Sequence, residues 1–442
     1  MDLLLLLAAL GLILWGVPVA FALGGAALLF AGVAIALGAF DPFWLRAVPG
    51  RLFALAESRT LVAIPLFVLM GTLLERGGIA RDLVASAAHL MRRVPGGLPV
   101  AVTLVGLLLA AATGVVGASV IALGLVALPA MLRAGVAPAR AAGTVAAAGT
   151  LGQIVPPSIV LLVLADQLGA AFSEAQTAGG GFASDTLTVA DLFAGAALPG
   201  VILAMAFCAL HLAGGRVARA AVDPPPRPVA SLLLPLGLVV AVLGSILSGF
   251  ATAAEAASVG ACGAFLMVLA RPRPVATARE ALGDAVRLTG VVFAIVVGAS
   301  VFALVFRALG GDDTVRALLE WMPGGAWGAV LFTMALVFLL GFVLEFLEIA
   351  FVVVPLAAPV LLAMEGVDPV WLGVLIALNL QTSFLTPPFG VALFYLRSVA
   401  PPSVTTAAIW RGVVPFVLIQ LAVLLLVFLV PALATALPNA LR

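Results

Sequence analysis

Long apolar runs recur from one end of this sequence to the other; in the first half they fall at residues 3–16, 19–39, 61–75, 142–165 and 192–213. Each approaches the ~20 residues a helix needs to cross the hydrocarbon of a bilayer. Lipid offers no partner for a bare N–H or C=O, so such runs must close their hydrogen bonds internally, as helices. A β-barrel would show short alternating segments instead. With 64% hydrophobic and 9% charged residues and a mean hydropathy of +1.30, an ordinary soluble domain is excluded. The reading is an all-α polytopic membrane protein. "MDLLLLLAALGLILWG" reads as a first span starting outside, because it carries Asp2 and lacks the basic start of a signal peptide. A net charge of +1 gives no electrostatic case for nucleic acid. Cys208 and Cys262 sit in apolar runs and read as small core residues. His89 and His211 lie far apart, without metal-ligand spacing. No phosphate-binding loop and no nucleophile–base pair is present, so neither an enzyme nor a cofactor is expected.

The chain repeats itself. "TLGQIVPPSIVLLVLA" aligns with "NLQTSFLTPPFGVALFYL": Pro156 and Pro387 are 231 apart. Upstream, Pro129 and Pro359 are 230 apart, and the turns at Gly16 and Gly249 are 233 apart. A nearly constant offset means two homologous halves. Residues 1–215 form the first, 216–230 a basic, proline-rich cytoplasmic linker, and 231–442 the second. Arg92 and Arg93 precede the apolar stretch at about 98–133, and Arg133 and Arg140 follow it. Arginines on both flanks suggest a re-entrant hairpin opening inward. Five crossings in each half is an odd number, so the second half is inverted, with an outward-opening hairpin at about 327–364. The total is about ten crossings and two opposed hairpins. With the N-terminus outside, 15 of the 21 arginines fall inside and six outside. "DPFWLRAVPGRLFALAESR" is read as an interfacial outer helix, and Arg307 and Arg316 beside Asp312, Asp313 and Glu320 as a solvated outer loop.

Why place two prolines in each of two spans, at about 142–165 and 369–395? Proline removes a backbone donor and breaks a helix. Broken helices are tolerated at membrane depth only where they line a cavity. Paired inverted repeats with interrupted helices are a transporter design, in which freed carbonyls hold cations and half-helix N-termini attract carboxylates. Gln153, Pro156 and Pro157 are therefore candidates in the first break, and the stretch from Gln381 to Pro388 in the second. Glu345 and Glu348, three apart in the second hairpin, share a face if helical. Acids at membrane depth default to function. Glu255 reads instead as a structural acid that caps or bonds its turn.

"GTLGQIVPPSI", "IPLFVLMGTLLERGGIA", "LTPPFGVALF" and "TGVVGASVIALGLVALP" resemble the large, DctM-type membrane subunit of TRAP transporters, the tripartite ATP-independent periplasmic systems. The resemblance covers essentially the whole chain. It implies a Na⁺-coupled elevator transporter in the bacterial inner membrane, moving organic acids. It also implies two partners, a small four-helix membrane subunit (DctQ-type) and a periplasmic substrate-binding protein (DctP-type). The chain carries no extra amino-terminal four-helix block, so the small subunit is expected as a separate polypeptide. Positions matching the family's ion and substrate site are Thr113, Gly114, Gly117 and Ser119; Gly149, Thr150, Gly152, Gln153, Pro156, Pro157 and Ser158; Glu345 and Glu348; and Gln381, Thr382, Ser383, Thr386, Pro387 and Pro388. Two departures stand out. Ala253 and Ala254 replace the family's Pro and Thr in the "ATAAEAA" turn, and Glu345 stands where Asp is usual. "LGFVLEFLEIAF" and "ADQLG" look more like the branch associated with 2-oxo acids, lactate and aromatic acids. The competing reading is a stand-alone Na⁺/dicarboxylate or citrate symporter of similar design.

Overall fold

The computed structural model describes residues 1–113, 116–178, 186–214 and 228–441. Among them every regular element is helical. In chain order the first ten helices are α1 (Asp2–Leu14), α2 (Val19–Ala36), α3 (Ala47–Glu57), α4 (Arg59–Arg76), α5 (Ile79–Leu90), α6 (Gly97–Thr113), α7 (Val116–Arg133), α8 (Pro138–Thr150), α9 (Ile159–Ala178) and α10 (Val189–Ala213). Then come α11 (Pro228–Leu247), α12 (Ala253–Leu269), α13 (Pro274–Ala308), α14 (Gly311–Glu320), α15 (Gly325–Leu340), the short α16 (Phe346–Glu348), α17 (Val354–Leu362), α18 (Pro369–Leu385), α19 (Val391–Val399), α20 (Thr406–Leu429) and α21 (Ala432–Leu441). Equivalent starts recur at a constant interval: 311 − 79 = 232, 369 − 138 = 231 and 391 − 159 = 232. Most of the stretch read as a linker, from 216 to 227, lies outside the described residues.

Seven of these helices are long and apolar enough to cross a membrane unaided. The remaining apolar helices are too short. Thirteen residues of α8 rise only ~20 Å against a ~30 Å hydrocarbon core, so α8 and α9 must share one crossing. The helix after the first break does not stop at 165, where the sequence suggests it does. It runs on to Ala178 because "AAFSEAQT" is rich in good helix formers.

Helix starts are written in local chemistry. Thr252 Oγ1 accepts from the Glu255 N–H at 3.3 Å, and Glu255 Oε2 accepts from the Thr252 N–H at 2.8 Å. This capping box is the structural role foreseen for Glu255. The same pairing, Thr188 with Asp191, opens α10. Thr252→Ala is expected to cost about 1 kcal/mol of stability and to lower the melting temperature in detergent, leaving the fold intact.

Three readings need correction. The outer loop after Arg307 is the helix α14, because Thr314, Ala317 and Leu318 extend a helical pattern behind Gly310, whose φ is +87°. Arg307 is not simply solvated: its Nη1 and Nη2 donate to the two carboxylate oxygens of Glu174 at 2.6 and 3.0 Å, and Nη2 also to the Pro355 carbonyl at 3.1 Å. The cysteines are free thiols but not core residues, since Cys208 is half-buried and Cys262 exposed on an apolar helix face.

The two halves interleave. α4 packs between α12 and α13, α2 lies along α13, and α8 is held among α6, α7 and α20. Two crossings are backbone on backbone. A Cβ on Gly298 of α13 would stand 2.3 Å from the Ala20 carbonyl oxygen of α2. A Cβ on Gly412 of α20 would stand 1.9 Å from that of Ala139 in α8. Small residues permit such approaches in membrane bundles, where dispersion contacts hold helices together.

Candidate ion and substrate site

The first break begins where α8 ends at Thr150. A 3₁₀ turn, Leu151–Gln153, leads through Pro156–Pro157 to α9. Neither proline carries an N–H to continue the helical ladder. Side chains satisfy part of what is left. Thr150 Oγ1 donates to the Ala147 carbonyl at 2.9 Å, and Ser158 Oγ donates back across the break to the Gln153 carbonyl at 3.3 Å. Gln153 itself is fully buried, and among the described residues neither end of its amide finds a partner. Gly152 is buried beside it. A Cβ on Gly149 would stand 2.5 Å from Val120 Cγ2 and 3.0 Å from Val120 Cα, so the end of α8 lies directly on the start of α7, next to the buried Ser119.

The second break separates α18 from α19. Thr382 Oγ1 donates to the Leu378 carbonyl and Thr386 Oγ1 to that of Thr382, each at 2.7 Å. Ser383 Oγ reaches the Phe338 carbonyl and Asn379 Nδ2 that of Met334, also at 2.7 Å, fastening α18 to the first arm of the second hairpin. Gln381 repeats the feature of Gln153: fully buried, with both amide atoms unpartnered among the described residues. Both Pro–Pro bonds are cis. The two breaks differ in access. Pro156 and Pro157 are buried, whereas Pro388 and Phe389 are exposed.

Of the hairpin tips, Gly114 and the side chain of Thr113 lie outside the described residues. The second tip departs from the expected shared helical face. Glu345 is extended (φ −77°, ψ 169°) and serves as the cap before α16, so only Glu348 is inside the helix. The reason is local: Glu348 Oε2 accepts the Glu345 N–H at 2.8 Å, using one carboxylate oxygen to close the helix start. Glu348 is buried and Glu345 exposed. Tyr395, the only tyrosine in the chain, was not among the candidates, although its rarity in the run after the second break was a signal. Its hydroxyl donates to Glu345 Oε1 at 2.7 Å. Its ring covers Gly117 of the first hairpin, where a Cβ would meet three ring carbons at 2.9–3.2 Å.

The four pieces meet. The 3₁₀ turn of the first break packs on α6 and α18, while α19 packs on α7 and α8. Around the junction gather buried hydroxyls, the two buried amides and the carboxylates of Glu345 and Glu348. All are oxygen donors, the set that suits a hard cation.

Comparison with known proteins gives the family. Residues 6–433 fit the family model of the tripartite ATP-independent periplasmic transporter, DctM component. The chain is 31% identical over 413 residues to the C4-dicarboxylate TRAP transporter large permease protein DctM of Pseudomonas aeruginosa, covering 90% of this chain and 91% of that one. It is 29% identical over 432 residues to the 2,3-diketo-L-gulonate TRAP transporter large permease protein YiaN of Escherichia coli, covering 96% and 95%. The fold is similar to that of the YdaH transporter of Alcanivorax borkumensis, with a TM-score of 0.62 at 16% identity over 91% of this chain and 95% of that one. A match across nearly the whole length, on an all-helical bundle with seven or more membrane-length helices, places the protein in the bacterial inner membrane and among the transporter permeases. The chain belongs to the DctM family, the large membrane component of the tripartite ATP-independent periplasmic transporters.

Proposed function

We propose that this chain is the large permease subunit of a Na⁺-coupled, binding-protein-dependent secondary transporter that imports organic acids. The observation that carries the reading is the meeting of two broken helices and two hairpins around Gln153 and Gln381, whose amides are buried without partners. A buried unpaired amide costs about 1–3 kcal/mol; of the three such glutamines among the described residues, Gln153 and Gln381 stand at the junction and Gln420 on α20. Na⁺ suits the oxygen donors there. The N-termini of α9 and α19, which open onto the breaks, suit a carboxylate cargo. The printed functions of the two relatives, a C4-dicarboxylate carrier and a diketo-gulonate carrier, share that chemistry. Membership of a tripartite family supports a small DctQ-type membrane subunit and a periplasmic DctP-type binding protein as partners. The two halves are read as inverted copies, with elevator-like movement of the site.

The test is uptake of labelled C4-dicarboxylates and 2-oxo acids into proteoliposomes holding this chain, the small subunit and the binding protein. Accumulation is expected only with all three components and an inward Na⁺ gradient. Accumulation by this chain alone would overturn binding-protein dependence and favour a stand-alone symporter. Full uptake without Na⁺ would overturn the coupling. Replacing both Pro156 and Pro157 by Ala lets the helix close its ladder, and should raise the Na⁺ concentration needed for half-maximal uptake by about tenfold.

A further inference from the structure

One side chain touches both hairpins. Tyr395 sits in α19, the nine-residue helix after the second break. Its phenol donates to Glu345 on the second tip at 2.7 Å, and its ring lies on Gly117 just past the first tip. Both contacts are specific. A hydrogen bond to an ionised carboxylate is shorter and stronger than a neutral one. The ring's seat needs residue 117 to lack a Cβ. Tyr395 is itself held, because α19 is pinned at its far end by Arg397 Nη1 donating to the Val404 carbonyl at 2.7 Å. The second tip therefore leans on a fixed post. A looser contact with the segment after the break joins Phe342 and the exposed Phe389, with ring centroids 6.2 Å apart.

We propose that Tyr395 is a positioning residue that fastens the second hairpin tip to the start of α7, at Gly117, and so sets how the second hairpin stands over the ion and cargo site. Glu345 is the handle it grips. With the hydroxyl bonded, the carboxylate is held over the junction and the second tip stands at one distance from α7. Without it, the base of the tip stays packed on α9 and α13, while toward the segment after the second break the Phe342–Phe389 contact remains. The proposal rests on reading the junction as the ion and cargo site, but the grip itself is testable without transport.

Two measurements decide it. The first uses spin labels at positions 118 and 343, one on each hairpin, in the full chain with Cys208 and Cys262 replaced by Ala. Tyr395→Phe keeps the ring and removes one oxygen. The distance distribution is expected to broaden. A distribution as narrow as the parent's would overturn the grip, whatever transport shows. The second is a double-mutant cycle in the three-component uptake system with Tyr395→Phe, Glu345→Gln and both. Tyr395→Phe should raise half-saturating cargo or Na⁺ about tenfold with the maximal rate little changed. The double variant should be no worse than the worse single one, since both substitutions act on one bond. Multiplying losses would mean the two residues act separately and would overturn the proposal. If the unmutated system shows no gradient-driven uptake, the proposed function fails and the label distances still report on Tyr395.

Discussion

Gly412→Val is expected to leave almost no folded protein in the membrane. The Cβ it adds would stand 1.9 Å from the Ala139 carbonyl oxygen, 2.7 Å from its carbon and 3.0 Å from the Gly143 nitrogen. All three are main-chain atoms, so no rotamer change relieves the contact. α8 and α20 would have to separate along their length. Overpacking of a core costs about 1–3 kcal/mol where side chains can yield, and more than that is expected where only backbone is available. The reading is the monodisperse fraction after detergent extraction, together with its melting temperature. The control is Gly25→Ala in α2, where an added Cβ meets nothing within 4 Å. A Gly412→Val protein that behaved like the control would show that the two helices do not cross as described.

The second large effect separates stability from function. Gln153→Leu combined with Gln381→Leu removes two buried amides that have no hydrogen-bond partner among the described residues. If burial were all that mattered, leucine should be the better residue at both sites. Relief of about 1–3 kcal/mol for each group should raise the melting temperature in Na⁺-free detergent. The extra stabilisation that added Na⁺ gives the unmutated protein should disappear, because a ligand stabilises only the state that binds it. Uptake should fall by more than about tenfold. A more stable variant that still transports, and still gains stability from Na⁺, would reduce both glutamines to accidents of packing.

What was readable in the sequence followed from single-residue chemistry. The Pro-Pro pairs announced the breaks because proline has no N–H, and both breaks stand where the prolines do. Glu255 reads as a structural acid of its turn, and it caps that turn together with Thr252. The helical class and membrane setting followed from apolar run length alone. What was hidden depended on tertiary partners. Glu345 and Glu348 at a spacing of three predict a shared face only if both are helical. Which residue becomes the cap was decided by where the hairpin turns. Tyr395 looks like one more apolar residue in "ALFYL" until Glu345 and Gly117 are brought to it from positions 50 and 278 residues away (395 − 345 and 395 − 117). α9 runs past residue 165 because its acidic and polar residues are those a helix leaving the bilayer needs. Arg307 was misread for the same reason as Tyr395, since Glu174 lies 133 residues earlier in the chain.

The crossing of α8 with α20 also bears on how the protein is made. Gly143 and Gly412 are 269 positions apart (412 − 143), so α8 leaves the ribosome long before its closest neighbour exists. At synthesis rates of about 5–20 residues per second, the wait is roughly 13–54 seconds. Throughout it, the first break is already in the membrane, packed on α6 but lacking α18, and α8 lacks α20. A nascent chain in that condition must keep its polar segment near water or the insertion machinery until the last helices arrive. The passage most exposed to quality-control proteolysis is therefore the interval between completion of the first break and emergence of α20.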